Sequence, residues 1–162
     1  MGKPLARSED SLYERDFYAW TQEQAAKLRA RAHNDIDWEN VAEEIESVGR
    51  SDKKEIRSRF GVLLQHLLKW HFQPELRSHS WQSTISEQRT SLHEVLKDSP
   101  SLTGFPAEAL DWSYALAARK AARETGLPAS PFPAASPYSV AEILDDSFLP
   151  GPAWSPEDLI RD

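Results

Sequence analysis

Between Ser51 and the Gln73-Pro74 pair, the apolar residues Ile56, Phe60, Leu63, Leu64, Leu67 and Leu68 recur at helical spacing, with Val62 and Trp70 at the margins. An arc that wide is satisfied only when other helices surround it, so the pattern predicts a central helix from Ser51 to Phe72. Proline ends it, because its ring carries no amide hydrogen and disfavours helix in the preceding residue. No alternating strand pattern, internal repeat or glycine-rich phosphate loop competes with this reading. The expected fold is all-α, a single-domain bundle of about five main helices.

The partners of the central helix are read from their ends. Thr21 and Gln24 have capping-box spacing after Trp20, which predicts a helix to about Arg31, with Asp16-Phe17-Tyr18 as a short turn before it. Asp37 is suited to cap a helix whose face is Trp38, Val41, Ile45 and Val48, and Gly49 is expected to end it. Ser78 or Ser80 opens a helix with the stripe Trp81, Ile85, Leu92 and Leu96, ending before Ser99-Pro100. An alanine-rich helix from about Pro106 to Thr125 stops at Gly126-Leu127-Pro128. Residues 128–137 then hold four prolines, and Ser139 with Glu142 caps a short docking helix beyond them. The expected organisation is a flexible N-terminus over residues 1–10, a bundle over 11–127, and a proline-rich arm over 128–162 packed on it.

Composition narrows the chemistry. The 162 residues include no cysteine, which excludes disulfides, thiolate catalysis and cysteine-ligated metals. Neither a signal peptide nor an apolar span of membrane length is read in the sequence, and the expected location is cytoplasmic. The net charge of -7 argues against a nucleic-acid-coating protein. It is unevenly spread: residues 1–49 carry 6 basic and 11 acidic groups, residues 50–97 carry 9 and 5, and residues 98–162 carry 4 and 10. Charge complementarity between neighbouring helices is the simpler explanation of the basic middle; polyanion binding is the other.

The candidate catalytic residues are Glu44, His66, Lys69 and Arg89. Glu44 lies beside the Val41/Val48 stripe, where a half-buried carboxylate needs a partner, and the candidates are Arg57 or Arg59 of the following helix, or His66 at the margin of the central arc. A Glu44–His66 pair reads first as a structural hydrogen bond. It also has the makings of a general base with its orienting acid, or half of a metal site. No metal-ligand spacing of the His-Glu-x-x-His or paired Glu-x-x-His kind is present, so no metal or cofactor is expected. The candidate binding residues, Trp70, Gln73, Arg77, Ser80 and Trp81, gather around the proline turn. Mixed aromatic and basic groups there suit base stacking, although Trp81 on the Ile85 stripe reads more simply as a core anchor.

The order of several separated motifs resembles the bacterial "domain of unknown function 29" family. These are Asp16-Phe17-Tyr18-Ala19-Trp20 with Gln24, Asp37, Glu43-Glu44-Ile45-Glu46-Ser47, His66-Leu67-Leu68-Lys69-Trp70, Gln73-Pro74, Ser80-Trp81, Pro100-Ser101-Leu102 and Phe148-Leu149-Pro150. The resemblance runs from about residue 11 to 150. It implies a helical bundle in a cytoplasmic bacterial protein, and no activity or catalytic residue. The leading expectation is a non-enzymatic module that binds a partner protein or a second copy of itself, using the Gln73-Pro74 turn and the arm. The alternatives are a hydrolase or nuclease centred on Glu44 and His66, and a binder of nucleic acid or nucleotide through the basic middle.

Overall fold

Capping chemistry sets most of the helix ends in the computed structural model, which describes residues 11–128 and 131–161. Residues 1–10, read from the sequence as a flexible N-terminus, lie outside the described part. The fold is all-α: the described residues form six α-helices, four of them long, and no strand beyond one isolated bridge between Ser78 and Ile160. The chain divides into two units, residues 1–50 and 51–162.

In the first unit, α1 (Leu12–Arg15) and α2 (Phe17–Arg29) precede the start of α3 (Trp38–Phe72). Helix α2 begins earlier than the Thr21 reading placed it, because Asp16 caps it by accepting from the Ala19 amide at 2.9 Å. Thr21 instead donates to the Tyr18 carbonyl at 2.8 Å. The buried centre is small, formed by Trp20, Gln24 and Ile36. Asp37 performs its expected role at the start of α3, where its carboxylate takes the Asn40 amide at 3.4 Å.

Gly49 does not end that helix. The helix continues to Phe72, and one segment replaces the expected pair with a break at Gly49–Ser51. A glycine stops a helix by turning left-handed, but among the described glycines only Gly126 and Gly151 have positive φ. Without that turn a helical glycine costs only about 1 kcal/mol against alanine. Arg50 spans the position by pairing with Glu43 at 2.7 Å and Glu46 at 3.8 Å.

The second unit holds the rest of α3, α4 (His79–Asp98), α5 (Phe105–Thr125) and α6 (Val140–Leu144). Its core matches the wide apolar arc: Ile56, Phe60, Leu63, Leu64, Leu67 and Leu68 are all fully buried. Ile85 and Leu92 of α4, Tyr114, Ala117 and Ala121 of α5, and Phe132, Tyr138, Ile143 and Leu159 of the arm complete it. Ser78 caps α4, Gly126 closes α5 at φ 66°, and Ser139 and Glu142 form both bonds of the expected capping box on α6.

Gly61 sits mid-helix in α3, and a Cβ built on it meets no atom within 4 Å. Gly61→Ala should therefore stabilise the protein by about 1 kcal/mol, through helix propensity and a less flexible unfolded chain. Thermal unfolding checks this: an unchanged or lower Tm would show that the site does not tolerate a methyl group.

Candidate functional site

Each candidate from the sequence has a defined place in the structure. Glu44 and His66, expected on two helices, both lie on α3, and each has a partner inside its own unit. The Tyr13 hydroxyl donates to the Glu44 carboxylate. His66 Nδ1 donates to the Val62 carbonyl at 2.9 Å, one helical turn back. Of the partners considered for Glu44, neither His66 nor Arg57 or Arg59 takes the place; the Tyr13 hydroxyl does, and His66 bonds within its own helix.

Lys69 pairs with Glu124 of α5 at 2.9 Å, and its ammonium lies 4.6 Å over the Trp81 ring. Burial pushes the Glu124 carboxyl up, but the bond and charge of Lys69 outweigh it and hold it below the ordinary carboxylate range. Trp81 is half-buried beneath this ammonium and Ser80 is exposed in the first turn of α4. Among the described residues, no three His, Asp or Glu side chains converge as a metal site requires.

The remaining candidates are inside the second unit, where Trp70, Arg77 and Arg89 hold the arm. Trp70, Gln73, Arg77 and Arg89 are buried. Arg77 donates through Nε to the Trp70 carbonyl at 2.9 Å and through its terminal nitrogens to Pro152 at 2.8 Å and Pro150 at 3.3 Å. Its guanidinium also lies 5.0 Å over the Trp70 ring, which meets Trp154 edge-on at 5.2 Å. Arg89 donates to the carbonyls of Ile143 at 2.8 Å and Phe148 at 2.7 Å. Tyr114 reaches the Pro133 carbonyl at 2.6 Å, His93 the Leu144 carbonyl at 2.9 Å, and His71 bonds the Tyr138 hydroxyl at 2.8 Å.

The reason is the chemistry of a proline-rich strap. Its proline-rich stretches cannot continue a helix or sheet ladder, and the last turn of α6 leaves carbonyls without partners in the helix, so these groups must find donors elsewhere. Arginine is suited to this because its planar fork donates in several directions and keeps its charge when buried. Burial lowers the Arg77 and Arg89 pKa values from the ordinary arginine range, while Asp158 and the Asp146/Asp145 pair respectively oppose the shift. Both nominated arginines donate to main-chain oxygens, Arg77 to three and Arg89 to two.

Burial also holds the His66 and His71 pKa values below the ordinary imidazole range; the nearby Lys69 adds to it at His66 and Arg77 at His71. The unfolded chain therefore binds protons first as pH falls. Stability from these groups is fully present above about pH 6.5 and is lost as pH drops from there through the depressed folded values. Tm measured between pH 8 and 5 should fall in the wild type and fall less in a His66→Gln/His71→Gln variant. Parallel profiles would assign the acid sensitivity to other groups.

The first unit is joined by a different network. Trp20 donates to the Asp37 carboxylate at 3.3 Å, and Gln24 accepts the Asp37 amide at 2.8 Å. Tyr13 stands edge-on to Trp20 at 4.8 Å, and Phe17 stacks on Trp20 at 5.7 Å. The apolar stripe of α3 is where the structure departs most from its reading as a packed face. Trp38, Ile45 and Val48 are 52%, 68% and 65% exposed.

The architecture defines an all-α protein with an arginine-clamped arm, whose nominated catalytic side chains are committed to internal bonds. The chain belongs to the family described as "Domain of unknown function DUF29", whose model matches residues 12–149. There is no match among curated proteins or solved structures. Several residues that carry the family resemblance, among them Trp20, Gln24, Asp37, Glu44 and Trp70, are the ones that make these internal links.

Proposed function

We propose that this is a non-enzymatic, cytoplasmic bacterial module that binds a partner protein, and that α3 of the first unit is the surface it uses. The observation behind this is the exposed row of Trp38, Ile45 and Val48, with the half-buried Val41 completing a three-four-three spacing along one helical face. That spacing fits a second helix laid alongside, its apolar residues filling the gaps. Ala42 and Gly49 beside the row leave room for close approach, and a Cβ on Gly49 would meet nothing within 4 Å.

Charge selects the partner. Glu39, Glu43, Glu44 and Glu46 flank the row, and residues 1–49 are acidic overall. A second copy would set acid against acid, so the fitting occupant is an amphipathic helix with basic flanks on another protein. The binding surface thereby moves from the Gln73-Pro74 turn, whose side chains Trp70, Gln73 and Arg77 are buried, to α3. No cofactor is required for this role.

A photo-crosslinking amino acid placed at Ile45 in the native host tests the proposal. The expected result is one reproducible adduct, absent when the group stands at the exposed Gln22 and lost in a Val48→Asp background. Identical capture from both positions, or none from Ile45, would remove the proposal.

A further inference from the structure

In the second unit, α3 and α5 part to leave an open cleft of about 420 Å³. This lies within the size range of small-molecule sites. Gly61 forms part of the α3 wall, and a Cβ built on it would meet nothing within 4 Å. The wall opposite is α5, where Trp112 stands exposed at the edge. The apolar surfaces of Val62, Leu116 and Ala117 also line it.

The polar groups around it share one sign. Lys54, Arg57 and Lys120 line the cleft, and no Asp or Glu does. None of these three is ion-paired among the described residues, in contrast to Arg50, Arg59 and Lys69. The Arg57 guanidinium lies 5.6 Å from the Trp112 ring, so a cation and a flat aromatic face are presented together. Ser113, fully buried in the same wall, has a hydroxyl oxygen with no hydrogen-bond partner. A buried hydroxyl normally has a partner, and on a helix the carbonyl one turn back is the usual one. Here that donor and acceptor capacity is unused.

From these observations we infer that the cleft is a binding site for a small organic anion: a planar apolar body against Trp112 and Val62, and a carboxylate or phosphate head between Lys54, Arg57 and Lys120. An inorganic anion leaves the apolar walls unfilled, and a neutral aromatic leaves the three cations without a counter-charge. The site is separate from the α3 surface proposed for protein binding, so either proposal stands without the other.

Calorimetric titration of the full chain with 2-naphthoate, 1-naphthyl phosphate, neutral 2-naphthylmethanol and inorganic phosphate tests this. For ligands of this size, at least one naphthyl anion should bind with Kd at or below about 1 mM. The neutral alcohol and inorganic phosphate should each bind roughly tenfold more weakly or not at all, since each lacks one half of the recognition. Carboxylate against phosphate preference then identifies the head group. Gly61→Leu, which fills the cleft from a position with free space, should abolish binding. Arg57→Gln on the exposed rim should weaken it roughly tenfold and provides the same test should Gly61→Leu not fold. The inference is overturned by equal affinity for the neutral alcohol, by anion binding that survives both substitutions, or by no saturable binding of either anion.

Discussion

Replacing Arg89 with methionine should lower stability by about 3–5 kcal/mol, because it orphans one buried and one partly buried carbonyl group at once, each costing roughly 1–3 kcal/mol without a donor. Methionine keeps much of the arginine volume, so the loss reports the bonds to Ile143 at 2.8 Å and Phe148 at 2.7 Å more than a cavity. In a chain of this size the change corresponds to a Tm lower by about 10 °C. Amides of α6 and the segment to Phe148 should exchange faster well below Tm, because the arm is the part released. Arg89→Lys should recover little, since an ammonium cannot reproduce a two-pronged fork. A Tm within about 3 °C of wild type would show that the carbonyls find other donors and that the clamp is not structural. It would also return Arg89 to the list of side chains free for chemistry.

The position of Arg89 shows how much of this architecture is legible in the sequence. Trp81, Ile85, Leu92 and Leu96 mark a stripe on α4, and Arg89 falls in its gap at the same helical phase. A charged residue at a core-facing phase is a readable sign of an internal role. What it bonds is not readable, because its acceptors are main-chain oxygens 54 and 59 residues away, and a carbonyl leaves no mark in the side-chain code. Helix ends at Ser139/Glu142, Gly126 and Pro74 are legible for the opposite reason, since the chemistry that sets them is local. Gly49 resembles those signals but is overruled, as the residues after it keep helical backbone angles and a glycine penalty of about 1 kcal/mol does not break a long helix.

The same distinction separates the two candidate surfaces. Periodicity shows that Trp38, Val41, Ile45 and Val48 share a face, but it is silent on whether the chain itself covers that face; the structure leaves it open. The α3/α5 cleft has no sequence signature, because its lining residues are scattered over two helices and come together only in the fold. An exposed apolar row and an unpaired cationic cleft are both departures from what stability alone favours. In a chain whose nominated catalytic side chains are bonded internally, those departures are the places to look for function.

Gly151→Ala should destabilise the protein by about 2–4 kcal/mol, the second large effect, because two independent costs meet at one position. Its φ of 87° is strained for any residue with a Cβ, and a Cβ there would stand 3.0 Å from His71 Cδ2 and 3.1 Å from both an Arg77 terminal nitrogen and the His71 carbonyl oxygen. The arm runs that close to the end of α3 because Arg77 grips the carbonyls on either side, at Pro150 and Pro152. Gly126→Ala separates the two costs: its φ is 66° but a Cβ there meets nothing within 4 Å, so it should lose only the backbone part, about 1–2 kcal/mol. Gly61→Ala, with neither cost, has the opposite sign. Chemical denaturation of the three variants should therefore order them Gly61→Ala above wild type, Gly126→Ala below it, and Gly151→Ala lowest. If Gly151→Ala loses no more than Gly126→Ala, the contact with His71 and Arg77 relaxes freely, and the arm is held by its hydrogen bonds and apolar anchors without close packing at this turn.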